Sequence, residues 1–195
     1  MLRLYTDSAV TFAKQVPGLG EIRLRPLDLE NDMRTIHGWV IQPYAVYWGM
    51  QEFSLEQVKQ AHKELLTRDQ YEIYLGLLNG NTIFMMERYK ASEDMIGQFY
   101  EVQPGDYGMH ILVAPAQKRI PDFTWNVFSA VMDFMFSHPH TDRVVVEPDV
   151  RNEKIHVLNR RAGFQYQGNI KLPGKTASLA WCTRADYLAA LENLK

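Results

Sequence analysis

The stretch GMHILVAPAQKRIPDF, residues 108–123, concentrates residues that could do chemistry. An apolar strand pattern carrying His110 runs into a turn with Gln117, Lys118 and Arg119 between Pro115 and Pro121, and a helical pattern follows. A helix N-terminus offers unpaired backbone N–H groups and a partial positive charge. With two cations beside it, this turn is a ready anion site. The same residues also read as solvated turn positions ahead of an ordinary helix, and the segment alone leaves both readings open. Asp149 lies 39 positions beyond His110 (149 − 110). His110 sits on the strand before the helix and Asp149 just past the next strand. If those strands are adjacent and parallel, their ends share one cleft, the usual ligand location at a switch in sheet topology. Taken singly, the structural readings are favoured: His110 as a core histidine satisfied by backbone, and Asp149 as a turn or cap.

The surrounding pattern must place these residues. Residues 21–27 alternate as a half-buried strand, residues 29–39 read as a helix, and residues 43–50 are irregular. Ser54 followed by Gln57 is a capping box for a helix to about residue 67. Residues 71–78 and 82–89 flank Asn79-Gly80, a pair that favours a tight hairpin turn. Residues 95–100 and 107–113 read as two further strands. The order then changes. Residues 122–137 put Phe123, Val127, Val131 and Phe134 at helical spacing, and residues 144–146 form a short buried strand. Asn152 caps a helix that ends at Gly163, residues 164–171 and 176–182 pair across Pro173-Gly174, and residues 184–195 close as a helix. This order predicts a mixed α+β fold, with one parallel crossover inside a mostly antiparallel sheet.

Composition bounds the rest. At 195 residues, 46% hydrophobic and 23% charged, the chain reads as a single domain over residues 1–195. A net charge of −2 gives no broad basic field for nucleic acid or an anionic membrane. The first residues lack the basic start and continuous apolar run of a leader, and residues 128–136 fall far short of the roughly 20 needed to cross a bilayer. Cys182 is the only cysteine, so no internal disulfide can form, which fits a reducing compartment. The expectation is a cytoplasmic protein.

A family resemblance sharpens this reading. In VVVEPDVRNEKIHVLNRRAGF, residues 144–164, the spacing of Asn152, Leu158 and Gly163-Phe164 resembles the final motif of the GNAT superfamily of acyl-CoA-dependent N-acyltransferases. IHGWVIQPYAVYWGM, FMMERY, YEVQPGDYGMHILVAP and EPDVRN together look like its hydroxamate-siderophore branch, typified by aerobactin-type N-hydroxylysine acetyltransferases and shorter relatives acting on N-hydroxy-diamines. The match covers residues 21–182. It implies the GNAT fold, a splayed sheet flanked by helices, with acyl-CoA (acetyl-CoA or succinyl-CoA) as cosubstrate; the remaining histidines show no ligand pattern beyond His138-Pro-His140, so no metal is expected in catalysis. By the same resemblance His110 and Asp149 are catalytic, and Val113, Gln117, Lys118, Arg119, Ile120, Asn152 and Asn159 bind CoA. Trp39, Trp48 and Tyr100 would line the pocket for the substrate's methylene chain, although Trp39 reads at least as well as core. The implied partner is a small N-hydroxylated amine, and the resemblance leaves room for a homo-oligomer.

Two departures from the wider superfamily stand out. The phosphate turn AQKRIP has no glycine, where close approach of backbone to phosphate usually demands one. Asn159 occupies the position where many members carry a tyrosine that protonates the departing thiolate, and an amide cannot be that acid. The competing readings are a GNAT enzyme acting on another amine, such as an aminoglycoside or a protein N-terminus, and a noncatalytic acyl-CoA-binding module. A polycationic aminoglycoside calls for a markedly acidic cleft, which the scattered Glu87, Glu101 and Asp106 do not establish.

Overall fold

The computed structural model describes residues 10–115 and 120–194. Its strands are β1 (Phe12–Val16), β2 (Gly20–Pro26), β3 (Tyr71–Leu78), β4 (Asn81–Lys90), β5 (Asp106–Val113), β6 (Arg143–Val146), β7 (Gln165–Leu172) and β8 (Lys175–Thr183). They form one eight-stranded sheet in the order β1-β2-β3-β4-β5-β6-β8-β7. The pairs β1–β2, β2–β3, β6–β8 and β7–β8 are antiparallel, while β5–β6 is parallel. The parallel step falls where the strand-helix-strand order predicts it. The helices are α1 (Met33–Val40), α2 (Leu55–Leu65), α3 (Phe123–Ser137), α4 (Glu153–Arg161) and α5 (Arg184–Glu192).

Local chemistry explains most of the boundaries. Ser54 and Gln57 form the expected reciprocal capping box at α2. Asn79 and Gly80 both take left-handed φ, 51° and 79°, the backbone that a two-residue hairpin turn requires. Asn152 accepts the Ile155 N–H to open α4, and Gly163 follows its end at φ 91°. Helix α3 is buried on most sides, with Val127, Phe128, Ala130, Val131, Met132 and Met135 fully covered, so it is a core helix.

Three expectations change. A first strand, β1, precedes the one read from sequence, and the turn after it uses Gly18 at φ 75°. Helix α1 begins at Met33, because Asp32 is spent on a bidentate buried pair with Arg25 (2.7 and 2.8 Å) and on the Asp28 N–H (2.8 Å). The strand predicted over residues 95–100 is absent. A 3-10 turn, Met95–Gln98, stands there after another at Ala91–Glu93, and Asp94 caps it through the Ile96 N–H (3.2 Å). Short local bonds from an aspartate compete with a ladder, and here they win.

The contacts gather into two compact units. The first runs up to Glu87 and takes in Ile111–Ala130; Ile22, Leu24, Ile36, Val58, Leu75 and Phe84 are fully buried within it. The second comprises Arg88–His110 and the chain from Val131 onward. Here the buried Asp106 grips Arg143 through two bonds of 2.6 Å, joining the first residues of β5 and β6. The boundaries fall inside β4, β5 and α3 rather than in linkers.

Candidate active site

The parallel ladder between β5 and β6 pairs Asp106 with Arg143, Tyr107 with Val144 and Gly108 with Val145, then stops. Strand β5 continues to Val113, but β6 ends at Val146, and Pro148 has no N–H to extend it. The strands therefore part just beyond Gly108. The paired residues differ by 37 positions (143 − 106), and the same offset carried forward sets His110 opposite Glu147 (147 − 110). The side chains bear this out: His110 Nε2 lies 3.2 Å from Glu147 Oε1.

Around this pair the second unit builds a small polar cluster. From β4, Tyr89 brings its hydroxyl 3.4 Å from Glu147 Oε2 and 3.3 Å from His110 Nε2. Its ring lies tilted against the imidazole, 5.0 Å between centroids. That approach depends on Gly108, where a Cβ would sit 2.1 Å from the Tyr89 ring. From β8, Lys175 donates to the Glu147 carbonyl at 3.0 Å and reaches Oε1 at 3.5 Å. Tyr89 and Glu147 are buried, whereas the His110 side chain is 37% exposed. Burial alone would raise the Glu147 carboxyl, but the hydrogen bond and charge of His110, then Lys175, outweigh it and hold the group down at about 2. An ionised carboxylate has no proton to give, so the His110 nitrogen facing it is the donor.

Asp149, two residues on, has a different environment. Arg151 grips it through Nε (2.9 Å) and Nη2 (2.7 Å), and the Arg151 N–H adds a third bond at 2.9 Å. The guanidinium bond outweighs burial and, with the Arg151 N–H and the Arg151 charge, holds the carboxyl at about 2. Its cover is shallow. The carboxylate is only 4% exposed, yet the arginine lying over it is 72% exposed, so water reaches the pair from that side. The backbone of Asp149 bridges Ala177 on β8, and its carbonyl accepts from His156 Nε2 at 3.1 Å.

The other predicted residues are dispersed. Gln117, Lys118 and Arg119 lie outside the described residues. Val113 ends β5 half-buried, and Ile120 stands exposed ahead of α3. Asn152 spends its side chain on the α4 cap. Asn159 is buried on α4; its Nδ2 donates to the Tyr166 hydroxyl at 3.3 Å, and its Oδ1 has no hydrogen-bond partner. His156 Nε2 donates to the Asp149 carbonyl, and its Nδ1 lies 2.7 Å from the Tyr166 hydroxyl. Trp39 is buried in α1, and Trp48 ends the 3-10 segment Pro43–Trp48, half-buried. Tyr100 packs against Trp181, 5.7 Å between centroids. Burial, then the charge of Asp106, pushes its phenol upward; both Asp106 oxygens are engaged by Arg143, and the Tyr100 hydroxyl makes no well-formed hydrogen bond.

Set beside known proteins, the arrangement has a family. The sequence profile described as Acetyltransferase (GNAT) domain matches residues 28–172. The chain belongs to that family. It is therefore an acyltransferase built on the GNAT fold, in which acyl-CoA is the acyl donor. An N-hydroxyputrescine acetyltransferase of Acinetobacter baumannii is 24% identical over 187 residues, covering 91% of this GNAT chain and 88% of its own. An N(6)-hydroxylysine O-acetyltransferase of Escherichia coli is 26% identical over 168 residues, 85% of this chain; the match spans 53% of that relative. Among solved structures, an uncharacterised protein of Bacillus halodurans shares the fold with a TM-score of 0.87, 24% identity and 95% coverage of both chains.

Sequence reading singled out His110 but missed its neighbours. Tyr89 ends FMMERY and Glu147 opens EPDVRN, both within stretches the family resemblance used. The signal that finds Glu147 is the register offset, which exists only once β5 and β6 are known to pair.

Proposed function

We propose that this GNAT enzyme acylates the hydroxylamine nitrogen of an N-hydroxylysine or an N-hydroxy-diamine, forming the hydroxamate of a siderophore in the cytoplasm. The observation that carries the reading is the half-exposed His110, backed by an ionised carboxylate where β5 and β6 part. The names of the Acinetobacter and Escherichia relatives support the substrate class. The whole chain acts as one domain in this reading.

An alkylhydroxylamine is less basic than an alkylamine, so much of it is neutral near pH 7. The enzyme then has two tasks: orienting the N–OH group against the thioester carbonyl, and taking up a proton as the C–N bond forms. His110 takes that proton, and Asp149, clamped by Arg151, orients rather than accepts, because a carboxyl held at about 2 is a weak base. In the same reading Val113, Gln117, Lys118, Arg119, Ile120, Asn152 and Asn159 bind the acyl-CoA, acetyl or succinyl. Trp39, Trp48 and Tyr100 accommodate the methylene chain. Asn159 cannot protonate the leaving sulfur, so CoA departs as thiolate and is neutralised by solvent.

Thiol release tests this directly. Acetyl-CoA and succinyl-CoA are each offered with N-hydroxylysine, N-hydroxyputrescine, N-hydroxycadaverine and their non-hydroxylated parents. Turnover confined to N-hydroxylated acceptors is expected. Turnover confined to aminoglycosides or peptides, or CoA binding without turnover, would replace the reading with one of its competitors.

A further inference from the structure

Glu147 has no role in the chemistry read from sequence, yet it is the carboxylate that His110 meets. A charge at 7% exposure persists only where neighbours replace its lost hydration. Those neighbours come from three strands: His110 on β5 at 3.2 Å, Tyr89 on β4 at 3.4 Å and Lys175 on β8 at 3.5 Å. Asp149 and Arg151, two and four residues further on, pair with each other. An imidazole that donates from Nε2 keeps the lone pair of its neutral form on Nδ1. Orienting one nitrogen of a histidine through the other is how a buried carboxylate makes it a directed base.

We propose that Glu147 is the positioning residue for His110, fixing its Nε2–H tautomer and stabilising the imidazolium that forms when Nδ1 takes a proton from the attacking nitrogen. This rests on the acyl-transfer reading above. In the step, the hydroxylamine nitrogen forms a bond to the thioester carbonyl carbon, and its N–H proton passes to His110 Nδ1. The C–S bond breaks with its electron pair moving to sulfur, and the imidazolium then returns its proton to solvent. Tyr89, seated by Gly108, holds the second Glu147 oxygen and limits rotation of the carboxylate. Lys175, 3.5 Å from Glu147 Oε1, offsets part of the carboxylate's charge.

The tautomer is read by nitrogen-15 NMR of the His110 ring in the full chain, without substrate, at a pH where the ring is neutral. A proton on Nε2 is expected; a proton on Nδ1 overturns the proposal. Because no acceptor is present, this result is independent of which amine the enzyme uses. Kinetics follow with any amine that supports thiol release. Glu147→Gln should lower kcat about 10²-fold with KM values within about twofold, and move the acidic limb of kcat/KM to lower pH, since an anion favouring the imidazolium is gone. Glu147→Asp, which keeps the charge, should recover much of kcat. An unchanged limb with near-native kcat in Glu147→Gln, or a loss confined to KM, overturns the assignment. Should Glu147→Gln not fold, Tyr89→Phe with the same ring NMR takes its place: the Nε2–H tautomer persists if Glu147 sets it, and is lost if the tyrosine does.

Discussion

Glu147 and Asp149 are two carboxylates two residues apart, both held at about 2, and they reach that state by opposite routes. Glu147 is covered by protein, so its ionisation depends on His110 and Lys175 overcoming the burial that opposes it. Asp149 lies under one exposed arginine, with a backbone N–H adding to that grip. Removing a partner from the first leaves a buried charge or buried polar group exposed to the full cost of desolvation; removing the partner from the second lets water in. The same residue type and the same acidity therefore carry different consequences for catalysis. Glu147 is coupled to a histidine that can move a proton, and Asp149 is coupled to an arginine that cannot.

The largest loss belongs to His110→Ala, about 10² to 10⁴ in kcat by thiol release with the thermal midpoint nearly unchanged, as expected of a general base. Next, Asp149→Asn should lower kcat about tenfold while leaving the acidic limb of the pH profile in place, because a group at about 2 does not titrate there. If that variant moves the limb as Glu147→Gln does, the two carboxylates are not functionally distinct. Gly108→Ala should destabilise by about 1–3 kcal/mol in denaturant melts and reduce kcat, since its methyl displaces the Tyr89 ring. Acid titration of stability separates the carboxylates again. Glu147 has its folded value lowered from 4.5 to about 2, so its contribution is fully present above about 4.5 and is lost as pH falls toward 2. Glu147→Gln should flatten the stability profile across that window. The smallest effect is Arg151→Ala, at most about 1 kcal/mol of stability, because its side chain is 72% exposed.

These outcomes also bear on what sequence could convey. Features set by neighbouring residues were legible: the Ser54–Gln57 box, the Asn79-Gly80 turn, and helix α4 between Asn152 and Gly163. The parallel crossover followed from the order of elements. Residues 95–100 misled because apolar Met95, Ile96 and Phe99 suggest a strand, while the Asp94 cap fixes a turn. The site was half legible. His110 stood out, but its partner depends on a register between strands 37 positions apart, which no local spacing encodes. Sequence pairs Asp149 with His110, whereas the side chain it meets is Arg151, two residues along.

The most direct measurement is a coupled assay with acetyl-CoA, N-hydroxyputrescine and ferric iron, run beside putrescine. Acylation on nitrogen leaves the N–OH free to chelate iron with the new carbonyl; acylation on oxygen, as in the name of the Escherichia relative, does not. A coloured ferric hydroxamate is expected to accumulate in step with thiol release from the hydroxylated amine, while putrescine gives neither signal. Thiol release without the ferric complex, or equal turnover of putrescine, would contradict the proposed function.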